Sequence, residues 1–135
     1  MLDETLYAEC CQEAIARGIP MDSIRSYMTN GVAMAATYSH LPDRATTVWI
    51  CLLTAIFCNI DDNLSGEQDI VHVYRFNERF ARYQPQGDPA LQVLDTLLRE
   101  APRHYSPLMS NLITTSILDY ISSLLLDHET RDMQV

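Results

Sequence analysis

Apolar residues recur every three or four positions along most of the chain, which is the spacing that amphipathic α-helices produce. No segment of useful length alternates apolar and polar residues as a strand would, and no internal repeat is visible. All six prolines fall between the periodic segments, where they would not interrupt a helix. The pattern therefore predicts an all-α helical bundle, with six helices at about residues 4–17, 22–39, 44–60, 70–83, 89–100 and 107–127.

Single residues predict how several of these helices begin, end and pack. Gly18 is expected to close the first helix and Asp22 to be the N-cap of the second, in which Gly31 predicts close approach of another helix. The Asp-Pro pair at 88–89 and the Ser-Pro pair at 106–107 are expected to cap the last two helices. The predicted buried faces comprise Ile24, Tyr27, Met28, Val32 and Ala35 in the second helix, Val73, Phe76 and Phe80 in the fourth, and Leu91, Leu94, Leu97 and Leu98 in the fifth.

The third predicted helix is apolar nearly all round between residues 48 and 60. A helix with this composition is expected in the middle of a bundle. The apolar run is shorter than the ~20 residues that a membrane span requires, so we predict a buried core helix and no membrane span.

Composition and charge narrow the classes of function. The 135 residues, 47% of them hydrophobic, predict one domain with a packed core. Nine arginines and no lysine stand against 18 acidic residues, for a net charge of −9, so a nucleic-acid partner is not expected. A protein this acidic would hold an anionic ligand most readily through a bound cation.

Cysteine spacing and the N-terminal sequence indicate a cytoplasmic protein. The four cysteines lack the C-x-x-C spacing of zinc and redox sites, and no secretory signal is visible at the start of the chain. Reduced thiols are therefore expected, with Cys51 and Cys58 serving as small apolar core residues. The four histidines are scattered over different segments and do not predict a metal site.

Two adjacent carboxylates, Asp61 and Asp62, follow directly on the apolar helix. They meet the negative end of its dipole, which costs roughly 0.3 to 1 kcal/mol each unless a cation offsets it. If the helix continues, Asp61, Ser65 and Asp69 fall four residues apart on one face and could offer oxygen ligands to Mg²⁺. The alternative interpretation is that Asp62 or Ser65 simply caps the next helix.

A family resemblance adds to this interpretation. Residues 31–40, GVAMAATYSH, and 48–62, VWICLLTAIFCNIDD, resemble the fungal trichodiene synthase family of class I terpene cyclases, in which an aromatic-rich apolar helix ends in an aspartate-rich motif. The segment beginning at Ser116 resembles the helix that follows this motif, and the similarity extends over roughly residues 22–129.

The resemblance implies a partial class I terpenoid synthase fold that binds a farnesyl diphosphate-like substrate with three Mg²⁺ ions. Ionisation of the diphosphate would give an allylic cation, which an apolar, aromatic-lined cavity folds and cyclises. The aspartate-rich motif maps onto Asp61 and Asp62, with Asp61 as the expected metal ligand. Ser65 stands where the pattern D-D-x-x-D places its third acid, so Glu67 or Asp69 could substitute.

Two groups of residues allow alternative interpretations. Asp61, Ser65 and Asp69 also match the spacing of the family's other metal motif, N-D-x-x-S-x-x-x-E, although that motif belongs much later in the family's chains. Tyr38, Trp49 and Phe57 are candidates to line the cavity through their π faces, or they are ordinary aromatic core.

The resemblance corresponds to about the N-terminal half of a complete family member. The second metal motif, the diphosphate-sensing arginine and the C-terminal Arg-Tyr pair are not found downstream, and the dipeptide at 82–83 lies in the wrong region for that pair. We therefore expect a single, incomplete terpene-synthase-like domain that is inactive as an isolated chain. The alternative is a non-enzymatic helical protein that binds an apolar ligand or a partner helix, with self-association as one form of this.

Two further groups of charged residues are interpreted as structural. Arg75, Arg79 and Arg82 form a charged helix face, and would approach a diphosphate only if that face turned inward. Asp119 lies among apolar neighbours and is expected to be a buried, hydrogen-bonded acid.

Overall fold

The structure, a computed structural model, describes residues 3–37, 43–63 and 70–131. These residues form six α-helices and no strand, which confirms the all-α fold class. The helices are α1 (Glu4–Ala16), α2 (Met21–Ala36), α3 (Arg44–Asn63), α4 (Ile70–Ala81), α5 (Pro89–Arg99) and α6 (Pro107–Thr130). A short 3₁₀ helix, Ala101–Arg103, lies between α5 and α6 and has no counterpart in the sequence prediction.

Local capping explains both ends of α1. Asp3 accepts a hydrogen bond from the Leu6 N–H at 3.0 Å and so caps α1, which ends at Ala16; Gly18, just beyond the C-cap Arg17, has a φ of 76°. There the Gly18 and Ile19 N–H groups donate to the α1 carbonyls of Ile15 and Ala14, the pairing of a Schellman motif. The glycine predicted to close the first helix is therefore confirmed in that role.

The start of α2 corrects one prediction. Pro20, and not Asp22, occupies the N-cap, and Asp22 lies inside the first turn. Proline suits this position because it is extended there and its missing backbone N–H would have no partner in the helix. The Asp22 carboxylate, in the first turn, still lies at the positive end of the helix dipole. The predicted end of this helix, at residue 39, lies outside the described residues, and α2 ends at Ala36.

The chain divides into two compact units, Met1–Asp61 and Asp62–Val135, and each is described by itself. In the first unit α1 packs against α2, whose buried residues include the predicted Ile24, Met28, Val32 and Ala35, while Tyr27 is half-buried. Arg44 at the start of α3 donates two hydrogen bonds of 2.9 Å to the Glu9 carboxylate on α1. This contact holds the pKa of Glu9 below its usual range.

Close approach of α2 and α3 occurs at Gly31, as the sequence predicts. A Cβ atom at this position would collide with the backbone carbonyl oxygen of Cys51 and lie 3.1 Å from its Sγ atom. The Cys51 thiol in turn contacts the Met28 sulfur at 3.7 Å, and the Asn59 amide donates to the Ser23 carbonyl. Cys51 is fully buried and Cys58 half-buried, and neither forms a disulfide.

Helix α3 is longer than the apolar run that predicts it. At 20 residues it is the one helix in the described ranges that is long and apolar enough to cross a membrane by length and composition. The core helix of a soluble protein has the same properties, and nine residues of α3, among them Trp49 and Leu52, are buried within the protein. The prediction that no segment spans a membrane stays a prediction.

In the second unit α4 packs against α5 and α6. The predicted faces are confirmed for Val73 and Phe76 in α4 and for all four leucines of α5, while Phe80 is half-buried. The predicted caps are also present: Asp88 accepts from the Leu91 N–H at 3.0 Å, and Ser106 from the Met109 N–H at 3.3 Å.

Helix α6 is the least buried helix for its composition. Only Ser110 and Ile121 of its 24 residues are buried, although leucine and isoleucine recur along its whole length. Four of its large apolar side chains are exposed: Leu108, Met109, Leu112 and Leu126. A helix that is apolar on most sides is usually covered by neighbours, so this one presents an unusual amount of apolar surface.

Candidate functional site

Asp61 and Asp62 lie in the last turn of α3, and both side chains are exposed. They directly follow the apolar run of this helix, and their role as metal ligands stays a prediction. Asp61 makes a further contact within the protein, so it is not an isolated carboxylate. Both acids lie in the turn where the helix dipole disfavours negative charge, so a cation would be bound favourably here.

Adjacent positions on a helix point about 100° apart, so Asp61 and Asp62 diverge from each other. The described residues contain no group of three or more Asp, Glu, His or Cys side chains that could hold a metal ion. The other predicted donors, Ser65, Glu67 and Asp69, lie outside the described residues. Among the described residues, the candidate metal ligands are therefore the two exposed carboxylates of Asp61 and Asp62.

Two carboxylates are nevertheless a suitable donor set for one ion in particular. Mg²⁺ is commonly held by only one or two carboxylates and completes its octahedron with water and phosphate oxygens of the substrate. The exposure of Asp61 and Asp62 leaves room for such additional ligands. The chemistry of the residues therefore fits magnesium better than it fits an ion such as zinc, which prefers nitrogen and sulfur ligands.

The candidate cavity residues are distributed between the core and the undescribed part of the chain. Trp49 is 2% exposed, Phe57 is half-buried, and Tyr38 lies outside the described residues. Trp49 and Phe57 both belong to α3, the helix that ends in the two aspartates, and both make contacts within the protein. Their role as cavity lining stays a prediction beside the alternative that they are aromatic core.

A buried polar network in the second unit was not predicted from the sequence. The Gln86 side chain is fully buried and donates to the Asp95 carboxylate at 2.7 Å, and Asp95, 2% exposed, accepts a 2.6 Å hydrogen bond from Arg99. The Arg99 guanidinium lies between the rings of Phe80 and Tyr83, 4.3 and 4.5 Å from their centroids. One signal was available, because Asp95 follows Leu91 by four residues on the buried face of α5 and precedes Arg99 by four.

The prediction for Asp119 is wrong, because its side chain is exposed. Its apolar neighbours in sequence belong to α6, and that helix is itself poorly buried. The charged face of Arg75, Arg79 and Arg82 is partly confirmed, since Arg75 and Arg82 are exposed and Arg79 is half-buried, with Arg82 lying just beyond the end of α4.

Comparison with known proteins identifies a class of enzyme to which the chain is similar, the fungal terpene synthases. It is 26% identical to the alpha-cuprenene synthase COP6 of Coprinopsis cinerea over 98% of this chain and 42% of that protein. It is 28% identical to the terpene synthase BipA of Cochliobolus sativus over 93% of this chain and 38% of that protein. The chain thus spans about two fifths of the length of these relatives.

Two other comparisons gave no match. No family model matches the chain. No solved structure matches it at a significant level either. The similarity to terpene synthases therefore rests on the sequence relatives, and the all-α fold is the fold class expected from the family resemblance.

Proposed function

We propose that this chain forms part of a terpene cyclase that ionises and cyclises an isoprenoid diphosphate such as farnesyl diphosphate. The observation that carries the proposal is the similarity of nearly the whole chain to an alpha-cuprenene synthase and to a second terpene synthase. The resemblance to the trichodiene synthase type favours a sesquiterpene product of fungal secondary metabolism. A cytoplasmic location is part of the proposal, because free cysteines such as the four of this chain are typical of a reducing compartment.

Asp61 and Asp62 would hold Mg²⁺ at the end of α3, with Ser65, Glu67 and Asp69 as further candidate ligands. When bound, the metal would neutralise the diphosphate and make it a better leaving group. The exposed carboxylates of this chain supply the negative charge that attracts the ion, and the protein's net charge of −9 would otherwise repel the substrate.

The same helix carries two aromatic residues, Trp49, which is buried, and Phe57, which is half-buried. Trp49 and Phe57, together with Tyr38, would face the hydrocarbon of the substrate and stabilise positive charge through their π faces while excluding water. Exclusion of water matters because a carbocation that meets water is quenched before it cyclises.

Isothermal titration of the purified chain with farnesyl diphosphate tests the proposal. Binding is expected to require Mg²⁺ and to weaken about tenfold or more in the Asp61→Asn/Asp62→Asn double variant. Asp127→Asn is the matched control, because Asp127 is also an exposed aspartate near the end of an apolar helix. Only one of the two metal motifs that the resemblance implies is present, so no cyclised product is expected from these 135 residues alone.

Two results would contradict the proposal. The first is binding that persists without Mg²⁺ and is unchanged in the double variant. The second is an equal loss in the double variant and in Asp127→Asn, since this would indicate a general effect of charge.

A second candidate function is favoured by the exposure of α6. We propose that, in the non-enzymatic alternative, this helix binds an apolar helix of a partner, and the partner can be a second copy of the chain. Leu112 and Leu126 are 52% and 60% exposed and lie fourteen residues apart, a multiple of seven that places them on one face.

A further inference from the structure

Three of the nine arginines in this acidic chain surround one cavity. Arg75 and Arg79 lie on α4, and Arg82 follows directly after its last residue, where its N–H still donates to the Glu78 carbonyl at 3.0 Å. Their intervals of four and three residues place the three arginines on one face. Together with Glu78, Gln84 and Pro85 they line a cavity of about 430 Å³ in the second unit, called here the arginine pocket. Its lining is therefore dominated by positive charge, in a chain whose net charge is −9.

Arg79 is held in place from one side. Its Nη1 atom donates to the backbone carbonyl of Gln86 and lies 3.3 Å from Nδ1 of His72. A guanidinium carries five N–H donors, so the contacts of this one nitrogen leave the Nε and Nη2 groups available. Arg79 is thus oriented by the protein, while its Nε and Nη2 groups have no partner among the described residues.

The support behind Arg79 is a buried network. Gln86, whose carbonyl receives the Arg79 hydrogen bond, is fully buried, and its side-chain amide donates to Asp95 at 2.7 Å and to the Phe76 carbonyl at 3.3 Å. Its own backbone N–H donates to the Gln92 side chain at 2.9 Å. These bonds fix the position of the carbonyl, so Arg79 does not have to be ordered when a ligand binds.

The turn after α4 forms the wall of the pocket. Tyr83 adopts a φ of 58°, and the Gln84 N–H then donates to the Arg79 carbonyl at 2.8 Å. This left-handed residue reverses the chain and carries Gln84 and Pro85 back beside the arginine face.

The other two arginines are available to a ligand. Arg75 makes no hydrogen bond or ion pair within the part of the chain that the structure describes. Arg82 pairs with Glu78 at 3.4 Å, but both side chains are largely exposed, at 67% and 48%. An exposed pair of this kind contributes little to stability and is easily exchanged for a stronger partner.

We propose that the arginine pocket is a binding site for a phosphate-bearing anion. Guanidinium groups bind phosphate oxygens through paired, charge-assisted hydrogen bonds, and three of them around one cavity match the charge of a di- or trivalent anion. The proposed site does not involve Mg²⁺ or the aspartates on α3, so it can be tested independently of the proposed terpene cyclase function. The phosphate belongs either to a free anion or to a lipid headgroup, and the experiment distinguishes these sources.

The test is titration of the whole chain with inorganic diphosphate in metal-free buffer at constant ionic strength, followed by calorimetry. Arg75→Gln is expected to weaken binding about tenfold, because it removes one guanidinium and breaks no hydrogen bond or ion pair with any described residue. Arg25→Gln is the matched control: Arg25 is also exposed on a helix, lies outside the pocket, and loses the same charge. The control is expected to bind within about twofold of the wild type, as a distant exposed charge is screened.

A second arm measures co-sedimentation with vesicles of phosphatidylcholine, with and without phosphatidic acid. Binding to the phosphatidic acid vesicles that is lost in Arg75→Gln would support the site and identify a lipid headgroup as the source of the phosphate. Diphosphate binding without vesicle binding would support it with a free anion. The proposal is overturned if neither probe binds, or if Arg75→Gln and Arg25→Gln reduce binding equally.

Discussion

At Gly31, helix propensity and side-chain packing favour different residues. In an exposed helix, replacing glycine by alanine gains up to ~1 kcal/mol of stability, because alanine loses less backbone freedom on folding. At Gly31 the added methyl group would meet the Cys51 carbonyl oxygen, which belongs to a neighbouring helix and cannot rotate away. The packing effect should therefore exceed the gain in propensity.

We predict that Gly31→Ala lowers the free energy of unfolding by about 1 to 3 kcal/mol, the range typical of overpacked interiors. Urea denaturation followed by circular dichroism measures the change. Asn30→Ala, at the exposed neighbouring position of α2, is the control and should be neutral or slightly stabilising. A stabilised Gly31→Ala protein would contradict the observed approach of α2 and α3.

Polar residues of the second unit show why part of the candidate chemistry escaped prediction from sequence. Gln86 stands in a run that is typical of a turn, and nothing in its immediate neighbours indicates full burial. It is buried because Asp95 and the Phe76 carbonyl, nine and ten residues away, accept its hydrogen bonds. Such a pairing is decided by how α4 and α5 pack, which local sequence does not specify.

At the scale of helices, the ends were predictable where a residue acts on the nearby backbone through its own side chain or its own backbone conformation. Asp88, Ser106 and Gly18 act within four residues of themselves, so their roles can be derived from the sequence alone. The prediction for Asp22 failed because Pro20 and Asp22 both suit a helix start, and the N-cap lies two residues earlier than predicted.

Asp22 and Asp62 lie at opposite ends of their helices, so the helix dipole should affect the two carboxylates in opposite directions. Asp22 lies in the first turn of α2, where the dipole favours negative charge, and Asp62 lies in the last turn of α3, where it does not. We predict that Asp62→Asn raises the free energy of unfolding by about 0.3 to 1 kcal/mol in metal-free buffer, and that Asp22→Asn lowers it by a similar amount.

Thermal and urea unfolding of both variants with EDTA present measures these opposite changes. Asp62 is the better position than Asp61 for this test, because Asp61 has a further contact that its substitution would also remove. Destabilisation by Asp62→Asn without metal would indicate that the carboxylate serves as a structural cap, the alternative left open by the sequence.

At the scale of the whole molecule, the fold class followed from periodicity, whereas the exposure of α6 did not. Apolar residues in a helix predict that the helix is buried, but they do not indicate whether the residues that bury it belong to the same chain or to a partner. The similarity spans only about two fifths of the relatives' length, so the comparison covers only the corresponding part of those proteins.

We predict that the isolated chain associates through α6 in a concentration-dependent manner. Leu112→Glu/Leu126→Glu should reduce this association, because a charge on the apolar face must be desolvated to form the contact. Sedimentation velocity over a range of concentrations measures it. Asn111→Glu/Ser123→Glu adds the same charge at exposed polar positions of α6, and an equal loss in this control would show that charge repulsion alone explains the effect.

The burial of Trp49 has a practical consequence for all of these measurements. It is the chain's sole tryptophan, it is 2% exposed, and it lies in the first unit. Selectively excited tryptophan emission therefore reports the loss of structure around α3, while circular dichroism averages over every helix. Comparing the two signals in one denaturation experiment shows whether the first unit melts together with the rest of the molecule or separately from it.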